Sequence, residues 1–294
     1  MNNVQGIFLI IGAMAAFTLE DMFIKHLSVT VPTGQVMLVL GLFCGLAFAL
    51  MAVVTRKRIF DRAAWQPLPL IRAGTEAVGA LSFVTALSLV DLSTVAAVFQ
   101  AMPLAVTMGA ALFLGEQVGW RRWSAIGVGF AGVLMVIRPG LDGFRPEALF
   151  VVATVVAIAA RDLITRRLDA RVASAVVALQ AYAAVALAGA VLMLMAGQPL
   201  VSLQAGQIGP YIGAVGFGVL GYFGIVTAMR VGEASALTPF RYTRLLFSIL
   251  AGMWMFGERP DLVTMIGASL IIGSGMYTFI RERRIARAMA PAVC

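Results

Sequence analysis

The chain has 294 residues, of which 61% are hydrophobic and only 12% charged, and its mean hydropathy is +0.95. Soluble domains are about half apolar and about a quarter charged, so this composition excludes an ordinary soluble enzyme and points to a bilayer. The formal net charge of +8 does not signal nucleic acid, because the basic residues fall in short runs between apolar stretches, as they do in cytoplasmic membrane loops.

Windows of about 20 apolar residues, enough to cross about 30 Å of hydrocarbon, recur along the whole chain. They predict helices over about 6 to 26, 34 to 55, 68 to 89, 92 to 114, 121 to 138, 148 to 168, 173 to 196, 208 to 230, 234 to 256 and 261 to 281. No alternating strand pattern competes with them, and in lipid only helices or closed barrels satisfy the backbone. The first window follows an N-terminus without a positive run and carries Glu20 and Asp21, which reads as a retained helix rather than a cleaved signal. With the N-terminus inside, cytoplasmic segments receive fifteen Lys and Arg residues, from Arg56, Lys57 and Arg58 to Arg284 and Arg287. Opposite loops receive three, Arg138, Arg145 and Arg259. That asymmetry places both termini in the cytoplasm of a multi-pass inner-membrane protein.

A repeat near 141 residues divides the chain into residues 1–140 and residues 141–294, the second with a basic cytoplasmic tail. Glu20-Asp21-Met22-Phe23-Ile24-Lys25-His26-Leu27 aligns with Arg161-Asp162-Leu163-Ile164-Thr165-Arg166-Arg167-Leu168, and Leu112-Phe113-Leu114-Gly115-Glu116 aligns with Trp254-Met255-Phe256-Gly257-Glu258. Five helices per half is an odd number, so the halves are inverted, an architecture that transporters use with the ligand between the repeats.

With ten helices in five-plus-five form, the Gly-Glu pairs closing the fourth and ninth, and the segment Thr238-Pro239-Phe240-Arg241-Tyr242-Thr243-Arg244, the chain resembles the drug/metabolite transporter superfamily, in its bacterial EamA-type branch. Within it, the Pro-Phe-Arg-Tyr-Thr-Arg run is similar to that of members described as S-adenosylmethionine or riboflavin uptake proteins. The resemblance implies an all-α integral membrane fold and carriage of a small molecule; members of this superfamily move amino acids, nucleotide-like metabolites, vitamins and drugs.

A charged side chain inside the bilayer costs on the order of 3 kcal/mol or more unless paired or facing a cavity. Asp21 with Asp162 and Glu116 with Glu258 occur in both halves and read as structural, the two glutamates at helix ends within reach of water. Arg241, Arg244, Tyr242 and Glu76 align instead with Phe99, Met102, Gln100 and Phe217. The asymmetric set Arg241, Arg244, Tyr242, Gln100, Glu76, Thr238 and Phe99 is therefore the candidate substrate site. Arg241 and Arg244 share a polar stripe with Thr238 and Ser248 and are suited to clamp a carboxylate or phosphate, or to form internal ion pairs. Glu76 follows Arg72 by one turn, a local pair, and is also a candidate for proton exchange. Glu20, Asp21, Arg161 and Asp162 are candidates for coupling or internal ion pairs, Glu20 with Arg161 among them. Pro103 and Pro239 can each bend a helix.

Trp65, Trp120, Trp123 and Tyr211 suit the membrane interfaces, while Phe99, Tyr222, Phe223 and Tyr242 lie inside helices, for packing or for stacking on a planar ligand. Glycines at 127, 129 and 132 and at 267, 273 and 275 suit close helix packing or a homodimer. His26 is the only histidine, Cys44 and Cys294 the only cysteines, and no GxxxxGK[ST] occurs, so neither a metal site, a cofactor nor an ATP site is expected. The expectation is a secondary transporter working by alternating access for an anionic or zwitterionic metabolite, driven by proton coupling or exchange. An exporter of lipophilic cations, leaning on Glu20, Asp21 and Glu76, is the alternative; a membrane enzyme is a remote one.

Overall fold

A computed structural model describes residues 3–141, 144–169, 171–231 and 237–289. Among them the structure is all helix, with no strand. The helices are α1 (Asn3–Leu27), α2 (Thr33–Val54), α3 (Pro67–Leu89), α4 (Leu92–Phe99), α5 (Met102–Phe113), α6 (Trp120–Ile137), α7 (Leu149–Thr165), α8 (Ser174–Met195), α9 (Ala205–Val231), α10 (Thr243–Phe256) and α11 (Leu262–Met289), with a 3-10 turn over Thr238–Tyr242 leading into α10. Eight stretches are long and apolar enough to cross a membrane by length and composition, α4 and α5 counting as one. The two others are α6, whose first turn holds Arg121 and Arg122, and α10, whose α-helical part has 14 residues.

The fourth predicted helix is broken. Pro103 has no N–H, and its ring crowds the carbonyl four residues back, so the helix stops at Phe99 and restarts at Met102 across Gln100 and Ala101. The ninth begins late as α-helix: Pro239 lies in the 3-10 turn, and regular helix starts only at Thr243. The predicted start of that span at 234 lies outside the described residues.

Helices pair as α1 with α9, α2 with α8, α3 with α7 and α6 with α11, with further contacts of α10 against α1 and α4 and of α7 against α5. Exchanging each crossing for the one five later leaves this pattern unchanged. The α6–α11 and α2–α8 pairs approach backbone to backbone: a methyl on Gly132 would lie 2.6 Å from the Gly267 carbonyl oxygen, and one on Gly189 would lie 2.5 Å from that of Gly34. Only a missing Cβ lets backbones meet this way. By contrast Gly127 and Gly273 face open space.

The main core gathers at one end of the bundle, where Leu27, Val31, Val36, Met37, Leu87, Val90, Leu92 and Val95 are buried together. Large apolar side chains such as Leu42, Leu46, Leu50, Leu187, Leu194 and Trp254 point outward, the face that lipid covers. Tyr211, expected at an interface, is buried in this core with its hydroxyl unpartnered.

Candidate functional site

Where α1, α3, α7 and α10 meet, charged side chains gather inside an otherwise apolar bundle. Arg244, in the first turn of α10, donates from Nη2 to Asp21 Oδ2 of α1 at 2.6 Å. Its guanidinium lies 5.4 Å from the ring of Phe17, 5.8 Å from Phe83 and 5.1 Å from Phe99. Three ring faces and one carboxylate thus replace water around a cation that would be costly in an apolar medium. Thr18, one turn before Asp21, shares hydroxyl contact with Ser248 at 3.4 Å, which ties α1 to α10 beside the pair.

A second cluster belongs to α3 and α7. Arg161 donates to Glu76 at 2.8 Å and to Asp162 at 2.8 Å, and Arg72 reaches Glu76 at 3.1 Å. Arg161 therefore sits between two carboxylates and Glu76 between two guanidiniums. The expected pairing of Glu20 with Arg161 does not form. Arg161 is taken by its own neighbour Asp162 because that aspartate has no equivalent of Arg244: the matching position is Met102.

Two charges beside these clusters have no such partner among the described residues. Arg241 makes no ion pair or side-chain hydrogen bond among the described residues; only its backbone carbonyl is met, by Gln100 Nε2 at 3.5 Å. Asp162, Arg161 and Arg244 act on it electrostatically, yet its side chain is exposed. The exposure is inward. Leu246, Leu250 and Trp254 form the outer face of α10, whereas Arg241 continues the opposite stripe of Arg244, Leu245 and Ser248, of which Leu245 and Ser248 are buried. Glu20 likewise has no hydrogen bond or salt bridge among the described residues, and neither of its oxygens is sealed off.

Of the other expected residues, Phe99 packs on Arg244 and Phe83, and Gln100 is buried at the break between α4 and α5. Tyr242 is buried with its hydroxyl against the backbone of Gly275 in α11, away from the arginine stripe. Thr238 opens the 3-10 turn, but its side chain lies outside the described residues. Tyr222 packs edge-on against Phe48, ring centres 4.7 Å apart, and Phe223 is exposed.

The structure also places an unforeseen cluster at the buried end of the bundle. Gly115 and Gly257 both adopt left-handed backbone, φ +70° and +64°. Each ends its helix, and the following glutamate N–H returns to a carbonyl six residues back, Glu116 to Ala110 and Glu258 to Gly252. The two glutamates then diverge. Glu258 is buried, not water-facing as expected, and its carboxylate accepts from Leu92 N at 2.6 Å, Ser93 N at 3.0 Å and Ser93 Oγ at 2.8 Å, capping α4 from 166 residues away. Lys25 lies 3.5 Å from that carboxylate and donates to the Val90 carbonyl. Glu116 pairs with Arg166 at 3.0 Å, but both side chains are about half exposed, 45% and 50%. Lys25 and Arg166 occupy matching positions of the repeat, so one arrangement occurs twice, once closed and once open.

Two hollows formed by α6, α11 and the turn after α6, one at Leu134, Arg138 and Pro139 and one at Trp120, Ser124 and Tyr277, lie away from these charges on the outer surface. Among the described residues no group of His, Cys, Asp and Glu is placed to hold a metal.

Residues 4–138 match the model of the EamA-like transporter family. The chain is 27% identical over 206 residues to an S-adenosylmethionine uptake transporter of Rickettsia conorii, covering 70% of this chain and 69% of that protein. It is 28% identical over 215 residues to a riboflavin transporter of Rhizobium johnstonii, covering 73% and 70%. A solved crystal structure superposes with a TM-score of 0.63 over 97% of this chain and 99% of that one, at 20% identity, a likeness of fold alone. The sequence resemblance to EamA-type transporters holds in these comparisons, and the names of the relatives are those of transporters rather than enzymes.

Proposed function

We infer that this chain is an EamA-type secondary transporter of the bacterial inner membrane that carries a small anionic or zwitterionic metabolite between two inverted halves, residues 1–140 and residues 141–294. The observation that carries the reading is Arg241: a guanidinium on the inner stripe of the 3-10 turn and α10, open on its inward side and without a counter-ion among the described residues, where Arg244, Arg161 and Arg72 are paired. Retaining such a group costs on the order of 3 kcal/mol or more, which a ligand carboxylate or phosphate with two acceptor oxygens would offset. Arg244 is already committed to Asp21, so its role is to position α10 beside α1 rather than to clamp the anion.

The packing exchange between the halves supports alternating access. In the observed arrangement the end near Lys25, Val90 and Glu258 is shut, because Glu258 satisfies the first amides of α4 and buries its own charge. The end near Glu116 and Arg166 is wet. With both termini in the cytoplasm, the shut end faces outward and the wet end inward. S-adenosylmethionine and amino acids of similar charge are the first compounds to try, and riboflavin tests the other relative's ligand.

The experiment is a thermal-shift screen of the purified chain in detergent against amino acids, S-adenosylmethionine, flavins, organic anions and lipophilic cations, since a ligand of the native state raises its apparent stability. Stabilisation by an anionic or zwitterionic compound, lost in Arg241→Ala, supports the reading. Stabilisation by lipophilic cations alone replaces it with the exporter.

A further inference from the structure

Glu20 presents the opposite charge to Arg241 and, among the described residues, is equally without a hydrogen-bond or ion-pair partner. It lies on α1 directly against the backbone of α9: a methyl on Gly218 would fall 2.5 Å from Glu20 Oε1 and 2.9 Å from Cδ. Phe17 meets Gly221 and Phe23 meets Gly213 in the same way, so three side chains of α1 at spacings of three seat on a glycine row of α9. Asp21, Arg244, Cys44 and Tyr182 interact electrostatically with Glu20. Asp21 repels it, Arg244 is held by Asp21 at 2.6 Å, and the other two are neutral. Among the described residues the carboxylate thus has no cation of its own, and it lies beside aromatic rings, a thiol and a phenol.

Glu20 precedes Asp21 on α1 and Arg241 lies one turn before Arg244 at the entry to α10, so the 2.6 Å Asp21–Arg244 bond brings both beside one ion pair. We propose that the ligand is a zwitterion, whose anionic group meets Arg241 and whose ammonium or sulfonium-type cation meets Glu20 above Gly218. The proposal rests on the transport reading above and deepens it. Arg244, the cation beside Glu20, is taken by Asp21, so neither Glu20 nor Arg241 has an ion-pair partner among the described residues. A ligand with both charges removes two isolated ions at once, whereas a simple anion leaves Glu20 as it was.

The test measures equilibrium binding of three charge forms of one skeleton to the purified full-length chain: methionine as the zwitterion, N-acetylmethionine as the anion and methionine methyl ester as the cation, with the same three forms of phenylalanine and leucine. The expected result is that a free amino acid binds at least about ten-fold tighter than either single-charge derivative. Glu20→Gln then brings the zwitterion down to its N-acetyl form without changing the latter. Gly218→Ala, which crowds the carboxylate and alters no charge, has the same effect and covers the case in which Glu20→Gln misfolds. Absence of any zwitterion advantage, or its survival in both variants, overturns the proposal. So does a Glu20→Gln protein that keeps the advantage but loses proton-driven accumulation, for that assigns Glu20 to a proton. If Arg241→Ala leaves all binding intact while Glu20→Gln removes the advantage, the anion reading fails and the cation pole stands.

Discussion

Replacing Glu258 by glutamine removes the negative charge at the first turn of α4 and one of the two carboxylate oxygens that accept from Leu92, Ser93 and the Ser93 hydroxyl. Hydrogen bonds to a charged group are worth about 1.5–3 kcal/mol each, and an anion at a helix N-terminus contributes about 0.3–2 kcal/mol. The amide retains one acceptor and can keep one amide bond, so the net loss is about 2–3 kcal/mol, all of it from the shut end. At about 1.4 kcal/mol per factor of ten, the open population there rises roughly 30- to 150-fold. Hydrogen exchange of the Leu92 and Ser93 amides reads this directly, because those N–H groups are the ones Glu258 covers. Their exchange should accelerate by that factor in Glu258→Gln, while amides of the α6–α11 pair remain as in the parent. Unchanged protection at Leu92 and Ser93 in a folded variant would refute the idea that Glu258 holds this end closed.

Arg244→Ala leaves Asp21 buried without its cation and should destabilise the chain by about 3–5 kcal/mol in reversible detergent unfolding, whereas the double variant Asp21→Asn, Arg244→Met recovers part of that loss; additive losses would contradict the pairing. Gly132→Ala must push its methyl into the Gly267 carbonyl and should cost about 1–3 kcal/mol, against no measurable cost for Gly127→Ala, which faces open space. Outside the membrane, bonds from the Arg138 guanidinium and from Thr264 hold the Asp261 carboxyl down to about 2. A depressed folded value means that the clip between the ends of α6 and α11 is fully present above the ordinary carboxylate value near 3.8 and is lost as pH falls through about 2. A carboxyl carbon titration of Asp261 should show that low midpoint, returning toward 3.8 in Arg138→Gln; a midpoint near 3.8 in the parent would contradict the clip.

The helices were legible because lipid imposes a single solution on an apolar run of sufficient length. Within them, the break at Gln100 was foreshadowed by Pro103, but a hydropathy window averages across it and returns one continuous span. The Gly-Glu pairs were visible as a repeat, and their left-handed glycines give the physical reason for them. What Glu258 does there was not visible, since its partners Leu92 and Ser93 lie 166 and 165 residues away and nothing local announces that α4 lacks a cap of its own. The pairing of Glu20 with Arg161 was inferred from matching positions, yet a repeat aligns equivalent places, not partners. Asp162, the next residue in the chain, reaches Arg161 first. That same local capture leaves Glu20 without an ion pair among the described residues, a condition that only contacts in space can reveal. Tyr211 misled for a related reason: nearness to a helix end suggests water, but that end of the bundle is the packed one.

Exchange transport by the chain in sealed proteoliposomes tests the central claim most directly, with the parent and Arg241→Ala assayed side by side on radiolabelled S-adenosylmethionine, riboflavin, amino acids and a lipophilic cation. The account predicts that an anionic or zwitterionic compound exchanges across the membrane in the parent and falls by at least about ten-fold in Arg241→Ala, while the variant remains folded. Undiminished exchange in that variant, or movement of the lipophilic cation alone, would contradict it.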